Sequence, residues 1–162
     1  MTPTFRAATA ADEPAVTQLL RSQSLPTAGV AEMFAQDATQ FIVGEADGEL
    51  VAVAGVEECC EHALLRSVAV RGDWQRRGLG NTLVERAVAQ AEARGIHALY
   101  LLTLTAEDYF PRFGFERVDR ASVPPAVAST VEFTSACPAS AITMTKSLAG
   151  ASSAGASWAG AS

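Results

Sequence analysis

Val68-Ala69-Val70-Arg71-Gly72-Asp73-Trp74-Gln75-Arg76-Arg77-Gly78-Leu79-Gly80-Asn81-Thr82 carries the chain out of an apolar run, through a basic turn, and into a helical pattern. A basic, glycine-bearing turn between a strand and a helix is suited to holding a phosphate. Gly78 and Gly80 let the backbone approach an anion with no Cβ in the way, and N–H groups point outward at the helix N-terminus. Arg76 and Arg77 add positive charge beside those dipoles. Two other phosphate loops fail on spacing. A Walker-type loop needs Lys followed by Ser or Thr after its second glycine, where this chain has Asn81-Thr82. A dinucleotide fingerprint needs a third glycine, which is missing.

Working outward, Leu79, Leu83, Val84, Ala87, Val88 and Ala91 form one apolar stripe of a helix that Gly95 ends. Upstream, Phe41 to Glu45 and Leu50 to Glu57 read as strands joined through Asp47-Gly48, a hairpin signal because such turns demand positive φ. Cys60 or His62 opens the next strand, which ends at Val70. Phe5 to Thr9 reads as an edge strand. A helix opens at Thr9 to Asp12, with Ala15, Val16, Leu19 and Leu20 as its apolar face, and Val30 to Gln36 reads as a second. Downstream the pattern gives a strand over 98–102, a short helix over 106–112, a short strand over 115–118 and a last strand over 141–145.

The 162 residues suit one domain, with a core large enough to need no disulfide or structural metal. A net charge of −6 argues against general nucleic-acid binding, and Arg71, Arg76 and Arg77 form the only dense basic cluster. Cys59, Cys60 and Cys137 lack zinc spacing, and the longest apolar stretches fall short of the ~20 residues of a membrane span. These features predict a cytoplasmic protein with no metal and no membrane association. Residues 148–162 are almost entirely Ala, Gly and Ser, so the domain is expected over 1–147 and a disordered tail after it.

Gln75, Gly78 and Gly80, followed downstream by Phe113-Gly114-Phe115, resemble the two sequence blocks of the GNAT superfamily of acyl-CoA-dependent N-acetyltransferases. The resemblance runs from Phe5 to Lys146 with the order of elements intact. It implies an α+β fold: a mixed, mostly antiparallel twisted sheet of six to seven strands flanked by about four helices, with splayed central strands forming an acyl-CoA cleft. Acetyl-CoA is then the co-substrate. Val68 and Val70 would bond the pantetheine arm through their backbone, and Gln75, Arg76, Arg77, Gly78, Leu79, Gly80, Asn81 and Thr82 would hold the pyrophosphate.

Acetyl transfer to an amine needs a base for the ammonium and an acid for the leaving thiolate. The tyrosine that GNAT enzymes commonly use as acid is replaced here by Phe110, which carries no proton to give, and Tyr109 stands beside it. Tyr109 is either that acid or a half-buried aromatic. Glu57, Glu58 and Glu61 are candidate bases, Glu57 foremost because it closes an alternating strand. His62 and His97 read as structural.

Arg66-Ser67-Val68-Ala69-Val70, Thr105-Ala106-Glu107, Phe110 to Phe115 and Ala136-Cys137-Pro138-Ala139-Ser140 together resemble one GNAT subgroup, the arsenic-resistance-associated N-acetyltransferases near the short N-acetylglutamate synthases. That likeness implies a glutamate-like acceptor such as glutamate, phosphinothricin or arsinothricin. Arg66 would grip its carboxylate, with Ser140 or Thr105 bonding an acid group. Arg66 has a second role open to it, an internal salt bridge to a glutamate of the meander. Two other functions stay open: a non-catalytic acyl-CoA sensor, favoured by Phe110, and acetylation of a peptide or protein amine. Edge strands make a homodimer plausible.

Overall fold

The computed structural model describes residues 2–59, 61–104, 106–130, 133–134 and 140–148. Seven strands form one sheet in the order β1-β2-β3-β4-β5-β7-β6. They are β1 (Thr4–Ala7), β2 (Phe41–Ala46), β3 (Glu49–Cys59), β4 (His62–Val70), β5 (Ala98–Thr103), β6 (Glu116–Arg117) and β7 (Ile142–Ser147). Four α-helices are described among these residues: α1 (Glu13–Ser22), α2 (Val30–Asp37), α3 (Leu79–Ala93) and the single turn α4 (Pro125–Ala128). This is the α+β fold expected from the sequence. The chain divides into two compact units, one running to Glu57 and including Arg66–Ala87, the other comprising Glu58–Leu65 and the residues from Val88 on.

In the first unit β1, β2 and β3 pair antiparallel. The β2–β3 connection has Asp47 at φ 53° and Gly48 at φ 76°, the two positive values that a tight hairpin requires. Before α1, the Asp12 carboxylate accepts from the Thr9 N–H at 2.8 Å, and a proline in the first turn needs no hydrogen-bond partner there. The helix proper begins at Glu13, after a 3-10 turn over Ala10–Asp12. Its buried face is Val16, Leu19 and Leu20, while Ala15, expected among them, is exposed. These side chains pack with Val30, Met33 and Phe34 of α2 against Phe41, Val43, Val53 and Ala69. Phe34 stacks on Phe41 with centroids 4.5 Å apart. Gly55 makes room for that stack, since a Cβ there would stand 2.9 Å from the Phe41 ring. Each large side chain buried here contributes about 1.5–3 kcal/mol.

In the second unit β4 runs parallel to β5, with His62, Ala63 and Leu64 opposite Ala98, Leu99 and Tyr100. β7 pairs antiparallel with β5 and with β6. α3 ends where Gly95 takes φ 76°, the Ile96 N–H bonding Ala91 O and the Gly95 N–H bonding Glu92 O. Leu64, Val123, Val127 and Phe133 are buried together, with Tyr100 and Leu102 at their edge.

Several expected bounds differ from the structure, among them the edge strand, expected over Phe5 to Thr9 and found over Thr4–Ala7. The segment 106–112 is a turn followed by a 3-10 helix over Phe110–Phe113, because Pro111 brings no N–H to a continuing helix. The strand after Gly114 is two residues long, Phe115 being buried ahead of it and Val118 following it. The last strand starts one residue later and runs to Ser147. Leu148, where the small-residue segment begins, is buried and its N–H bonds His97 O at 3.0 Å. Among the described residues no helix is long and apolar enough to cross a membrane.

Candidate functional site

The first unit contains the end of β4, the basic turn and the start of α3. Ala63 to Arg66 of β4 are buried in succession, and Ser67 after them sits at φ 58° in the middle of the strand. In an unbroken strand, residues three apart face opposite sides. Here Arg66 reaches Ala28 between α1 and α2, and Ala69 packs into the α1–α2 core, so both face the same side. Ser67 is therefore the surplus residue of a β-bulge, held in a left-handed conformation that costs a non-glycine residue about 1–2 kcal/mol. Beyond it Val68 and Val70 lie half-buried on the face opposite Ala69.

In the turn, Arg76 has φ 66° and Gly78 φ 82°, with Arg77 between them outside the positive-φ set. That alternation of sign folds successive N–H groups toward one concavity, the geometry of an anion nest. Gly78 is also the point where α3 starts. Its carbonyl accepts from the Thr82 N–H at 3.2 Å and from the Thr82 hydroxyl at 3.3 Å. The N–H groups of Leu79, Gly80 and Asn81 precede that first helical bond, at the positive end of the helix dipole. Leu79 is buried and anchors the turn. Gly80 lies in the first turn of α3 at ordinary φ. Arg76 and Arg77 are exposed, and the Arg77 guanidinium lies 4.6 Å from the Trp74 ring centroid.

Arg71 departs from the expected basic cluster. It bonds Asp73 at 2.7 Å and Glu49 at 3.0 Å. The Asp73 bond first, then Glu49, raises its pKa, and the Arg71 bond draws the Asp73 carboxyl below the usual carboxylate range. Its charge is therefore already matched within the protein.

Gln75 donates its side-chain amide to Val70 O and to Gln23 Oε1, each at 2.9 Å. Gln23 caps the C-terminal end of α1 and carried no sequence signal, since it is separated from Gln75 by 52 positions.

Arg66 and Glu57, predicted with separate roles, meet. Arg66 Nη1 lies 3.1 Å from Glu57 Oε1, Nη2 donates to Ala28 O at 2.6 Å, and Nε donates to Ser67 Oγ at 3.2 Å. The arginine side chain is 0% exposed and the glutamate 22%. Of the two roles open to Arg66, the structure shows the internal salt bridge. A buried guanidinium directed at these acceptors braces the fold.

In the second unit Tyr109 is half-buried with its ring edge-on to Phe110 (5.2 Å) and Phe113 (5.3 Å), and the Arg112 guanidinium lies 4.6 Å from its centroid. Phe110 is buried and packs edge-on to Phe115. Glu58 is ion-paired with Arg94, and Glu61 lies 3.6 Å from His97 Nδ1. His62 packs edge-on to His97 and Tyr100. Ser140 is exposed, while Thr105, Cys60 and Cys137 lie outside the described residues. Among the described residues no three His, Cys, Asp or Glu side chains are grouped to hold a metal ion.

The sequence pattern of the Acetyltransferase (GNAT) family matches residues 10–115, which takes in α1, the bulged strand, the basic turn, α3 and Tyr109. The chain is 31% identical over 116 residues to an amino-acid acetyltransferase of Pseudomonas syringae pv. tomato, an alignment covering 70% of this chain. It spans only 27% of that relative's length. Among solved structures, N-acetylglutamate synthase from Neisseria gonorrhoeae, complexed with coenzyme A and N-acetyl-glutamate, superposes with a TM-score of 0.77 at 20% identity, covering 91% of this chain and 35% of the other. Rv2747 from Mycobacterium tuberculosis, in complex with CoA, gives a TM-score of 0.76 at 21% identity, covering 90% and 99%.

Proposed function

Because the chain belongs to the acetyltransferase (GNAT) family, we propose that it transfers acetyl from acetyl-CoA to the amine of a small, carboxylate-bearing amino acid of the glutamate class. The observation that carries this reading is the turn over Gln75 to Gly80. Its alternating φ values, two exposed arginines and helix N-terminus suit the pyrophosphate of coenzyme A. Val68 and Val70 then offer backbone groups to the pantetheine arm, and Gly78 to Thr82 surround the diphosphate. The similarity to amino-acid acetyltransferases and to an N-acetylglutamate synthase supports the acceptor class.

In the proposed reaction the neutral amine attacks the thioester carbonyl carbon, the C–S bond breaks, and acetyl passes directly to nitrogen. A carboxylate takes the ammonium proton, directly or through water. Glu57 fits that role because Arg66 fixes one of its oxygens while part of the side chain still meets solvent. The departing thiolate regains a proton from Tyr109 or from water. Ser140 and Thr105 are proposed as contacts to the acceptor's acid group. The subgroup likeness extends the acceptor class to phosphinothricin and arsinothricin.

Phe110 favours one competing reading, an acyl-CoA-binding protein without turnover, because a buried phenylalanine occupies the usual acid position. Release of free thiol from acetyl-CoA separates the two, measured with glutamate, phosphinothricin, arsinothricin, other amino acids and a lysine peptide as acceptors. Turnover confined to glutamate-like acceptors supports the proposal. Tight binding of acetyl-CoA without turnover on any of them replaces it with the binding-protein reading, and turnover on the peptide alone moves the acceptor to protein amines.

A further inference from the structure

We propose that the side chain of Gln75 is a positioning group rather than a phosphate ligand: it ties the segment between α1 and α2 to the basic turn, so that an anion bound in the turn is felt at residues 23–29. This inference rests on the coenzyme A reading above for the identity of the anion, and on geometry for everything else.

Val70 O can only accept a hydrogen bond, so the group 2.9 Å from it must be the amide nitrogen of Gln75. That fixes the orientation of the Gln75 amide, and the second proton on the same nitrogen meets Gln23 Oε1 at 2.9 Å. Both side-chain protons are thereby directed at protein acceptors. The backbone N–H of Gln75 closes the preceding 3-10 turn on Gly72 O. The residue that opens the basic turn thus directs its donors into the protein, whereas the nest built by Arg76, Arg77 and Gly78 begins one residue later.

The segment it reaches is held at its other end as well. Gln23 is bonded by Gln75, and five residues on, Ala28 O accepts from the buried Arg66. Between these points Ser24 has φ 58°, and Gly29 closes the segment at φ 84°. The Ser24 N–H closes on Arg21 O and the Leu25 N–H on Leu20 O, and Leu25 packs against the core, so the end of α1 is capped locally. Two side-chain contacts are added from the flanks of one stretch of chain, Arg66 before the bulge and Gln75 at the head of the turn. Reordering of the turn around an anion moves Gln75, and Gln75 carries the change to Gln23. By reciprocity, loosening Gln23 weakens the response of residues 23–29 to the anion.

The test compares Gln23→Ala, Gln75→Ala, the double variant and Gln75→Arg with the unaltered protein, by amide hydrogen exchange with and without coenzyme A and by calorimetric titration with coenzyme A. Both partners are solvent-accessible, so neither substitution threatens folding. Without ligand, exchange over residues 23–29 is expected to rise about two- to tenfold in each single variant, the range of one hydrogen bond. The double variant should be no faster than either. Arginine, which keeps donors for both acceptors, should restore the slower rate. Coenzyme A should protect residues 23–29 in the unaltered protein and protect them less in Gln23→Ala. The proposal is overturned if exchange at 23–29 is the same in all variants. It is equally overturned if Gln75→Ala weakens coenzyme A binding tenfold or more while Gln23→Ala leaves binding unchanged, because the amide would then be a ligand. An unaltered protein that does not bind coenzyme A removes the functional reading alone, and ligand-free exchange then decides the brace.

Discussion

Replacing Arg66 with alanine removes a side chain that is 0% exposed and that bonds Glu57, Ala28 O and Ser67 Oγ at 3.1, 2.6 and 3.2 Å. Removing one member of a buried ion pair costs about 3–5 kcal/mol, chiefly because the other charge is left without its partner. Glu57 is 22% exposed, so water recovers part of that loss, which places the expected cost near the low end, about 3 kcal/mol. For a chain of this size that corresponds to a melting point lower by roughly 6–12 °C. Arg66→Lys keeps the charge but loses the fork that serves two acceptors at once, and should cost about 1–2 kcal/mol. Urea denaturation of Arg66→Ala, Glu57→Ala and the double variant forms a cycle, with an expected coupling of about 1.5–3 kcal/mol. A coupling below about 0.5 kcal/mol would show that the pair does not brace the fold. Arg66→Ala that melts normally yet loses turnover on carboxylate-bearing acceptors would return Arg66 to the role of a ligand grip.

Ser67→Val should destabilise by about 1–2 kcal/mol because a β-branched residue resists φ near 58°, whereas Ser67→Gly should be neutral or mildly stabilising apart from the lost hydroxyl; equilibrium unfolding of both checks the bulge. The Arg6 bond holds the Asp12 carboxyl below the usual carboxylate range. Its contribution is thus complete above the unfolded carboxyl pKa and is lost as pH falls through the lower folded value; acid titrations of stability should show this loss, and Asp12→Asn should remove it. Tyr109→Phe should leave stability within about 0.5 kcal/mol and lower turnover at saturating substrates if the phenol protonates the thiolate. An unchanged rate assigns that proton to water.

The basic turn could be read from sequence because its chemistry is local. Gly78 must be glycine-like to hold φ 82°, and the arginines lie next to it. The Asp47-Gly48 hairpin and the Gly95 helix stop are legible for the same reason, each being fixed by one or two residues. What stayed hidden depends on pairing across the chain. Ser67 carries no mark of its left-handed state, since only the demand that Arg66 and Ala69 share a face reveals it. Gln23 and Ala28 are ordinary residues until Gln75 and Arg66 reach them. Arg71 looked like part of an anion patch because Glu49 lies 22 positions away in sequence yet bonds it in the fold. The segment 106–112 has helix-compatible residues but contains Pro111 in a run of aromatics whose mutual packing settles for a 3-10 turn.

The surplus residue at Ser67 also decides how β4 can change length. Four positions, Arg66 to Ala69, span what three would cover in a straight strand, so deleting Ser67 would leave Arg66 and Ala69 on the sides they now occupy and take away only the bend. Inserting one residue into the flat part of the strand would instead turn over everything upstream or downstream of it. A shortened strand therefore offers a way to separate the bend from the core: the packing beneath α1 and α2 would persist, and any loss of coenzyme A binding could be ascribed to the altered direction in which the strand delivers the basic turn.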